Sequence, residues 1–298
     1  MNLLDGKAAA REWRAEMAEA VRGRLTSGYP APCLAAVLVG NNGASLTYVN
    51  AKVKACQEVG YTSKLIHLPE DTTEQEVLQV VNNLNSDPAV DGFIVQLPLP
   101  KHISEQKVLM AIHPGKDVDG FHPENFGKMA LGLPAYIPAT PFGILELLKR
   151  NGVETAGKHC VVVGRSNIVG LPMSLLMVRN AYPGNSTVTT VHSKTRDLID
   201  HTRQADILIA ALGKPGFITG DMVKPGVVVI DVGITRLEDP SKKSGFRLQG
   251  DVDFDSVSPL ASHMTPVPGG VGPMTIAGLM FNTLQASIQK KNPDKVRA

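Results

Sequence analysis

The sequence predicts an α/β protein of two domains, each a parallel sheet covered by helices. Three observations predict it. A chain of 298 residues is about twice the usual domain length. Short apolar runs alternate with amphipathic stretches of helical length, the rhythm of a parallel sheet whose crossovers are helices. That rhythm runs twice, and an irregular segment rich in Gly and Pro, 117–141, separates the two runs. Hydrophobic residues at 43% and charged residues at 19% supply enough apolar material for a core in each domain.

The elements follow in order. Residues 1–17 mix acids and bases on a helical pattern, whereas a secretory signal needs an apolar centre and a transit peptide is poor in acids. No apolar run is long enough to span a membrane, and the expected location is the cytoplasm. Leu34-Ala-Ala-Val-Leu-Val39, ended by Gly40, reads as a buried strand. A helix over 45–59 carries Leu46, Val49, Val53 and Cys56 as one stripe that lies on a sheet. Strand 63–68, helix 73–84 and strand 92–97 continue the series. After the irregular segment, helix 142–150 leads to a second series. It comprises strand 160–163, helix 168–179, strand 187–191, helix 195–204 and strands 206–212 and 227–232, the order of a dinucleotide fold. Segments 182–186 and 235–250 read as polar surface insertions.

Charge excludes one class of partner. A formal net charge of +2 gives no dense basic face for nucleic acid. Cys33, Cys56 and Cys160 are odd in number, lie in apolar stretches and share no metal-ligand spacing. They read as core residues of a reducing compartment, and no metal site is expected.

Gly164-Arg165-Ser166-Asn167-Ile168-Val169-Gly170 lies between a strand of valines and a helix, where parallel sheets place phosphate-binding turns. It is not a G-x-G-x-x-G fingerprint. Arg165 and Ser166 stand where a second glycine would bring a pyrophosphate closest, so side chains take part in holding the cofactor. An NAD-selective site usually ends its next strand on an acid. Here that end reads Thr189-Thr190-Val191-His192-Ser193-Lys194, with no carboxylate. Arg165, Ser193 and His192 or Lys194 are donors for a 2′-phosphate. The expected cofactor is NADP.

Pro268-Gly269-Gly270-Val271-Gly272-Pro273-Met274-Thr275 is a stiff backbone bare of side chains, open to a flat ligand and leading into a helix. Tyr48 and Lys52, four apart on the predicted helix 45–59, share one face and can meet one ligand. Such a pair is also found as a rim tyrosine beside a solvated lysine. Gln96 ends a strand at the carboxyl edge of a parallel sheet, where α/β proteins bind ligands. Asp117-Val118-Asp119-Gly120 suggests a carboxylate turned into a cleft, or a plain turn; further oxygen ligands at calcium-loop spacing are lacking.

Taken together, these motifs resemble the bifunctional methylenetetrahydrofolate dehydrogenase/methenyltetrahydrofolate cyclohydrolase family. The resemblance runs from the N-terminal helix to about Gln289. It rests on Tyr48-Val49-Asn50-Ala51-Lys52, on 85–98 including Val95-Gln96-Leu97-Pro98, on Lys116-Asp117-Val118-Asp119-Gly120, on Gly164-Arg165-Ser166 and on Pro268 to Thr275, in that family's order.

The resemblance implies three parts: a folate-binding catalytic domain at 1–140, a Rossmann-type NADP domain at 141–267, and a glycine-rich loop with a C-terminal helix, 268–298, that returns to the first domain. It implies oxidation of 5,10-methylenetetrahydrofolate to the methenyl cation and hydrolysis of that cation to 10-formyltetrahydrofolate at one site in a cleft, and a homodimer joined through the Rossmann domain. Tyr48, Val49, Asn50, Ala51, Lys52, Val95, Gln96, Leu97, Asp119, Pro268, Gly269, Gly270, Val271 and Gly272 are the implied substrate contacts. Gly164, Arg165, Ser166, Ile168, His192, Ser193 and Ile234 are the implied cofactor contacts. Asp119 suits the amino and ring N–H groups of a pterin, and Tyr48 suits stacking on the substrate. Lys52 suits activation of water as a neutral amine, and Gln96 would hold that amine.

Two other classes compete. A dehydrogenase of small amino or hydroxy acids needs a cationic anchor and leaves Gln96 and the glycine-rich run unexplained. A non-catalytic nucleotide-binding protein would have no use for Lys52 and Gln96.

Overall fold

The computed structural model describes residues 1–242 and 245–290. Lys243 and Ser244 of the expected polar insertion and 291–298 of the C-terminal segment lie outside the described residues. The chain forms two compact units. One contains Met1–Ala10 and Thr140–Thr275; the other contains Arg11–Ala139 and the chain from Ile276.

In chain order, β1 (Asn2–Leu3) is followed by α1 (Gly6–Thr26), β2 (Cys33–Val39), α2 (Gly43–Val59), β3 (Thr62–Leu68), α3 (Glu74–Ser86) and β4 (Gly92–Val95). Then come α4 (Glu105–Ala111), α5 (Pro123–Ala130) and α6 (Ala139–Arg150). The second series is β5 (His159–Val163), α7 (Gly170–Val178), β6 (Thr187–Val191), α8 (Leu198–Thr202), β7 (Ile207–Ala210) and β8 (Val228–Asp231). The chain continues through β9 (Thr235–Glu238), β10 (Phe246–Gln249), α9 (Phe254–Val257), β11 (His263–Met264) and α10 (Val271–Gln289).

In the unit that begins at Arg11, the sheet order is β3-β2-β4 and both pairings are parallel. Every residue of β2 is buried, as its unbroken apolar run requires of a central strand. β3 is the edge strand and faces solvent over most of its length, which accounts for its Thr-Ser-Lys start. α3 opens on a capping box in which Thr73 accepts from Glu76 N while Glu76 reaches back to Thr73 N, and it buries Val77, Val81 and Leu84. Those side chains join Ala35, Val37, Phe93 and Val95 in one core. α10 packs here too. The Tyr61 hydroxyl donates to Met280 O at 2.9 Å, and the Trp13 and Phe281 rings lie 5.6 Å apart.

In the other unit, six parallel strands lie in the order β1-β11-β8-β7-β5-β6. Val161, Val163, Leu208, Ala210, Val227 and Val229 form its core with Met264 and Ile218. Asp5 Oδ1 caps α1 by accepting from Lys7 N and Ala8 N.

Three element readings are corrected. Segment 235–250 is not a featureless loop, because β9 and β10 pair antiparallel across it. Helix 195–204 shortens to α8, since Asp197 takes φ +50, a left-handed conformation that no helix continues through. The irregular stretch contains α5, started by Pro123 at its first turn and capped by His122. The expected division at 140 and 267 differs from the units at both ends. Met1–Ala10 and 268–275 go with the six-stranded sheet because β1 pairs with β11, Lys7 N donates to Gly269 O at 3.0 Å, and the Thr275 hydroxyl donates to that of Thr140 at 3.0 Å.

Tyr61→Phe is expected to lower stability by about 1 kcal/mol, the usual net worth of one buried hydrogen bond. The urea midpoint reads it; an unchanged midpoint would mean that the hydroxyl adds nothing to the docking of α10.

Candidate active site

The unit that begins at Arg11 gathers its chemistry on α2, the end of β4 and the loop after Lys116. α2 packs against β2 and β3 and presents Tyr48 and Lys52 one turn apart on a half-buried face. Lys52 Nζ donates to Gln96 Oε1 at 3.0 Å. Gln96 follows β4 directly, and its backbone N–H donates to Val37 O of β2 at 2.8 Å. Its side-chain Nε2 donates to Leu97 O at 2.7 Å, so the amide nitrogen is committed to a carbonyl and Oε1 faces the lysine.

Electrostatics couples a third group to this pair. Burial pushes the Lys52 pKa below its ordinary value, and the negative charge of Asp119 works against that shift. Burial likewise raises the Asp119 carboxyl, with the positive charge of Lys52 opposing it. Desolvation dominates at both, so the site favours a neutral amine more than water does. An amine of that kind can take a proton from water; an ammonium cannot.

The remaining expected contacts are not equally accessible. Asn50 is exposed, and Ala51 and Leu97 are half-buried. Val49 and Val95 are 1% and 2% exposed, so their side chains pack inward and present no surface to a ligand. Val49 lies on the buried stripe of α2, and Val95 packs in the core with Val37, which leaves their main chain as the part open to a ligand.

The six-stranded unit holds the glycine motifs. Gly164 follows β5 with φ +131, and a Cβ there would lie 2.3 Å from Ala211 O, so only glycine makes this turn. Arg165, Ser166 and Ile168 are exposed beyond it. Ser166 Oγ accepts from Val169 N and Gly170 N at the start of α7. At the end of β6, His192 is half-buried with Nδ1 accepting from Lys194 N, while Ser193 is exposed. Ile234, three residues beyond Asp231 of β8, is exposed. These groups stand at or beyond the carboxyl ends of parallel strands, where doubly wound sheets bind nucleotides. In the proline-flanked run, Pro268 is exposed and Gly269 and Gly270 are buried. Val271 begins α10 and is buried; Gly272 is half-buried.

Two carboxylates that the sequence did not single out brace this edge. Asp231, buried at the end of β8, accepts from Gly233 N and Asp251 N, both at 2.9 Å, and from Val252 N at 3.0 Å. Asp251 Oδ2 accepts from Leu212 N at 2.6 Å and Gly213 N at 2.9 Å, just past β7. Burial pushes the Asp231 carboxyl up to about 6. The available signal was an acid closing an apolar strand, Val228-Val229-Ile230-Asp231.

Residues 4–119 match the family described as tetrahydrofolate dehydrogenase/cyclohydrolase, catalytic domain, and residues 138–291 match its NAD(P)-binding domain. The bifunctional protein FolD of Cytophaga hutchinsonii is 61% identical over 290 residues, covering 97% of this chain and 100% of the relative. The FolD of Bacteroides fragilis is 61% identical over 286 residues, or 96% of this chain and 98% of the relative. Among solved structures, the bifunctional enzyme FolD of Campylobacter jejuni superposes with a TM-score of 0.90 at 47% identity, over 97% of this chain and 99% of that one. The methylenetetrahydrofolate dehydrogenase-cyclohydrolase of Trypanosoma brucei, solved with NADP cofactor and an inhibitor, gives 0.91 at 39% identity over 97% of each chain. A paired lysine and glutamine in one unit, a glycine turn at a Rossmann edge in the other and a full-length match to both domains have one common explanation: the chain belongs to the tetrahydrofolate dehydrogenase/cyclohydrolase family.

Proposed function

We infer that this chain oxidises 5,10-methylenetetrahydrofolate to 5,10-methenyltetrahydrofolate with NADP and hydrolyses the product to 10-formyltetrahydrofolate. The observation that carries the reading is the Lys52 amine, desolvated and held at 3.0 Å by the Gln96 carbonyl oxygen, in a chain of this family. The folate belongs to the unit around β2, and the nucleotide to the unit around β5.

Each residue has a physical role. Asp119 accepts from the amino and ring N–H groups of the pterin, which sets its orientation. Tyr48 offers a ring face for stacking. Oxidation needs no acid or base from the protein, because the folate nitrogens supply the electron push; positioning is the main contribution. Hydrolysis does need a base. Lys52, as a neutral amine, takes a proton from the water that adds to the methenyl carbon, and the cationic substrate further disfavours an ammonium beside it. Gln96 aims the amine by accepting one of its hydrogens.

The residues fit NADP. A turn bare at Gly164 admits a phosphate, and Arg165, Ser193 and His192 are donors suited to a 2′-phosphate with no carboxylate at the end of β6 to repel it. When bound, NADP supplies the hydride acceptor. The reading includes a cytoplasmic homodimer joined through the nucleotide-binding unit, where Val178 and Tyr182 expose apolar surface at 55% and 53%.

The direct assay supplies methylenetetrahydrofolate with NADP and follows reduced cofactor and methenyl product, then supplies methenyltetrahydrofolate alone and follows its loss. Lys52→Met is expected to abolish the loss while sparing part of the reduction; full hydrolysis by this variant would remove Lys52 from its role. Cyclohydrolase kcat/KM is expected to fall as pH drops through the lysine pKa, since only the uncharged amine is a base, with its inflection below the ordinary 10.5. An inflection at the ordinary value, or none attributable to Lys52, contradicts the desolvated amine. With NADP, dehydrogenase kcat/KM is expected to exceed that with NAD; equal values would remove the 2′-phosphate contacts.

A further inference from the structure

The loop that carries Asp119 is clamped by side chains that have no part in the chemistry above. Asn282 lies on α10 and is 3% exposed. Its Nδ2 donates to Val118 O at 2.8 Å and to Ile137 O at 2.9 Å. A primary amide has two N–H bonds, and both are used on carbonyls. Val118 O belongs to the peptide that leads into Asp119. The carbonyl of Asp119 itself accepts from Ala139 N at 3.3 Å, so the backbone of this one residue is tied on both sides.

The next residue tightens the arrangement. Gly120 has φ +75, and a Cβ there would lie 2.6 Å from Pro138 N and 2.8 Å from Tyr136 O. Segments 118–120 and 136–138 therefore meet backbone to backbone, with Asn282 bridging them. At the other end, the 1%-exposed Asp117 carboxylate accepts from His122 N at 2.8 Å, Phe121 N at 3.2 Å and Asn125 Nδ2 at 2.9 Å.

We propose that Asn282 is a positioning residue for folate: by joining the Val118 and Ile137 carbonyls it fixes the backbone of Asp119, and so sets the aim of that carboxylate at the pterin. The inference rests on the proposed contact of Asp119 with the pterin. A carboxylate that accepts two hydrogen bonds side by side demands geometry as well as charge. Held beforehand, it binds without an ordering cost at that moment. Replacing Asn282 by an apolar residue would leave two buried carbonyls short of a donor and the loop free to shift.

The test is a double-mutant cycle on the full chain, joining Asn282→Ser to Asp119→Asn, with KM for methylenetetrahydrofolate, KM for NADP, kcat and the urea midpoint measured for each protein. Asn282→Ser is expected to raise the folate KM about tenfold, the scale of one or two lost hydrogen bonds, with a smaller fall in kcat and no change in the NADP KM. In the Asp119→Asn background the same substitution is expected to leave the folate KM where Asp119→Asn put it. A lower urea midpoint with an unaltered folate KM overturns the proposal, as does an equal rise in both backgrounds. Should Asp119→Asn alone leave the folate KM unchanged, the pterin contact itself falls and the proposal falls with it. If Asn282→Ser does not fold, Asn282→Gln, which keeps the amide but displaces it by one methylene from the two carbonyls, is read by the same cycle and the same outcomes.

Discussion

A lysine amine that has lost its water needs a partner that suits it both with and without its proton. A carboxylate in van der Waals contact would lock the ammonium in place; an amide carbonyl accepts from either form at similar geometry. Gln96 supplies that carbonyl, and its own nitrogen is tied to Leu97 O so that the amide cannot turn round. The surrounding structure follows from this requirement. β2 and β4 must be adjacent for Gln96 N to reach Val37 O, and α2 must lie on the sheet for Lys52 to face the end of β4.

Asp119 enters the same balance from further away. Its charge counters part of the desolvation at Lys52, while burial raises its own carboxyl. On the proposed pterin contact, this carboxylate would gain what it lost from water only when the ligand is there, so the free site holds it at a cost. That cost is tolerable because the loop around it is over-determined: Asn282, Ala139 N and the backbone contact at Gly120 all act on one short segment.

The nucleotide-binding unit solves a different problem with the same device. The loops at the carboxyl ends of β7 and β8 lie at the sheet edge where doubly wound folds bind nucleotides, and two buried acids anchor them. Asp231 and Asp251 accept five backbone N–H groups between them and so hold these loops from below.

Much of the fold was legible because its strands are apolar runs closed by glycine or a turn. β2, β5 and β6 lie within one residue of where the pattern put them: β2 and β5 because a strand buried on both faces cannot hide its composition, and the edge strand β6 because its run of Thr and Val is rich in β-branched residues. β1 and β11 were not legible: two residues form a strand only because another strand lies beside them. The β9–β10 pair was masked by the polar residues of its turn. Tyr48, Lys52, Gln96 and Asp119 stood out by residue type and by their order along the chain, which also carried the family resemblance. What sequence could not decide is which atom of the Gln96 amide faces Lys52, that burial lowers the pKa of the amine, and that Asn282, 163 residues beyond Asp119 in the chain, braces its loop. Hydrogen-bond direction and desolvation depend on atoms brought together from distant segments, and a linear pattern records only neighbours along the chain.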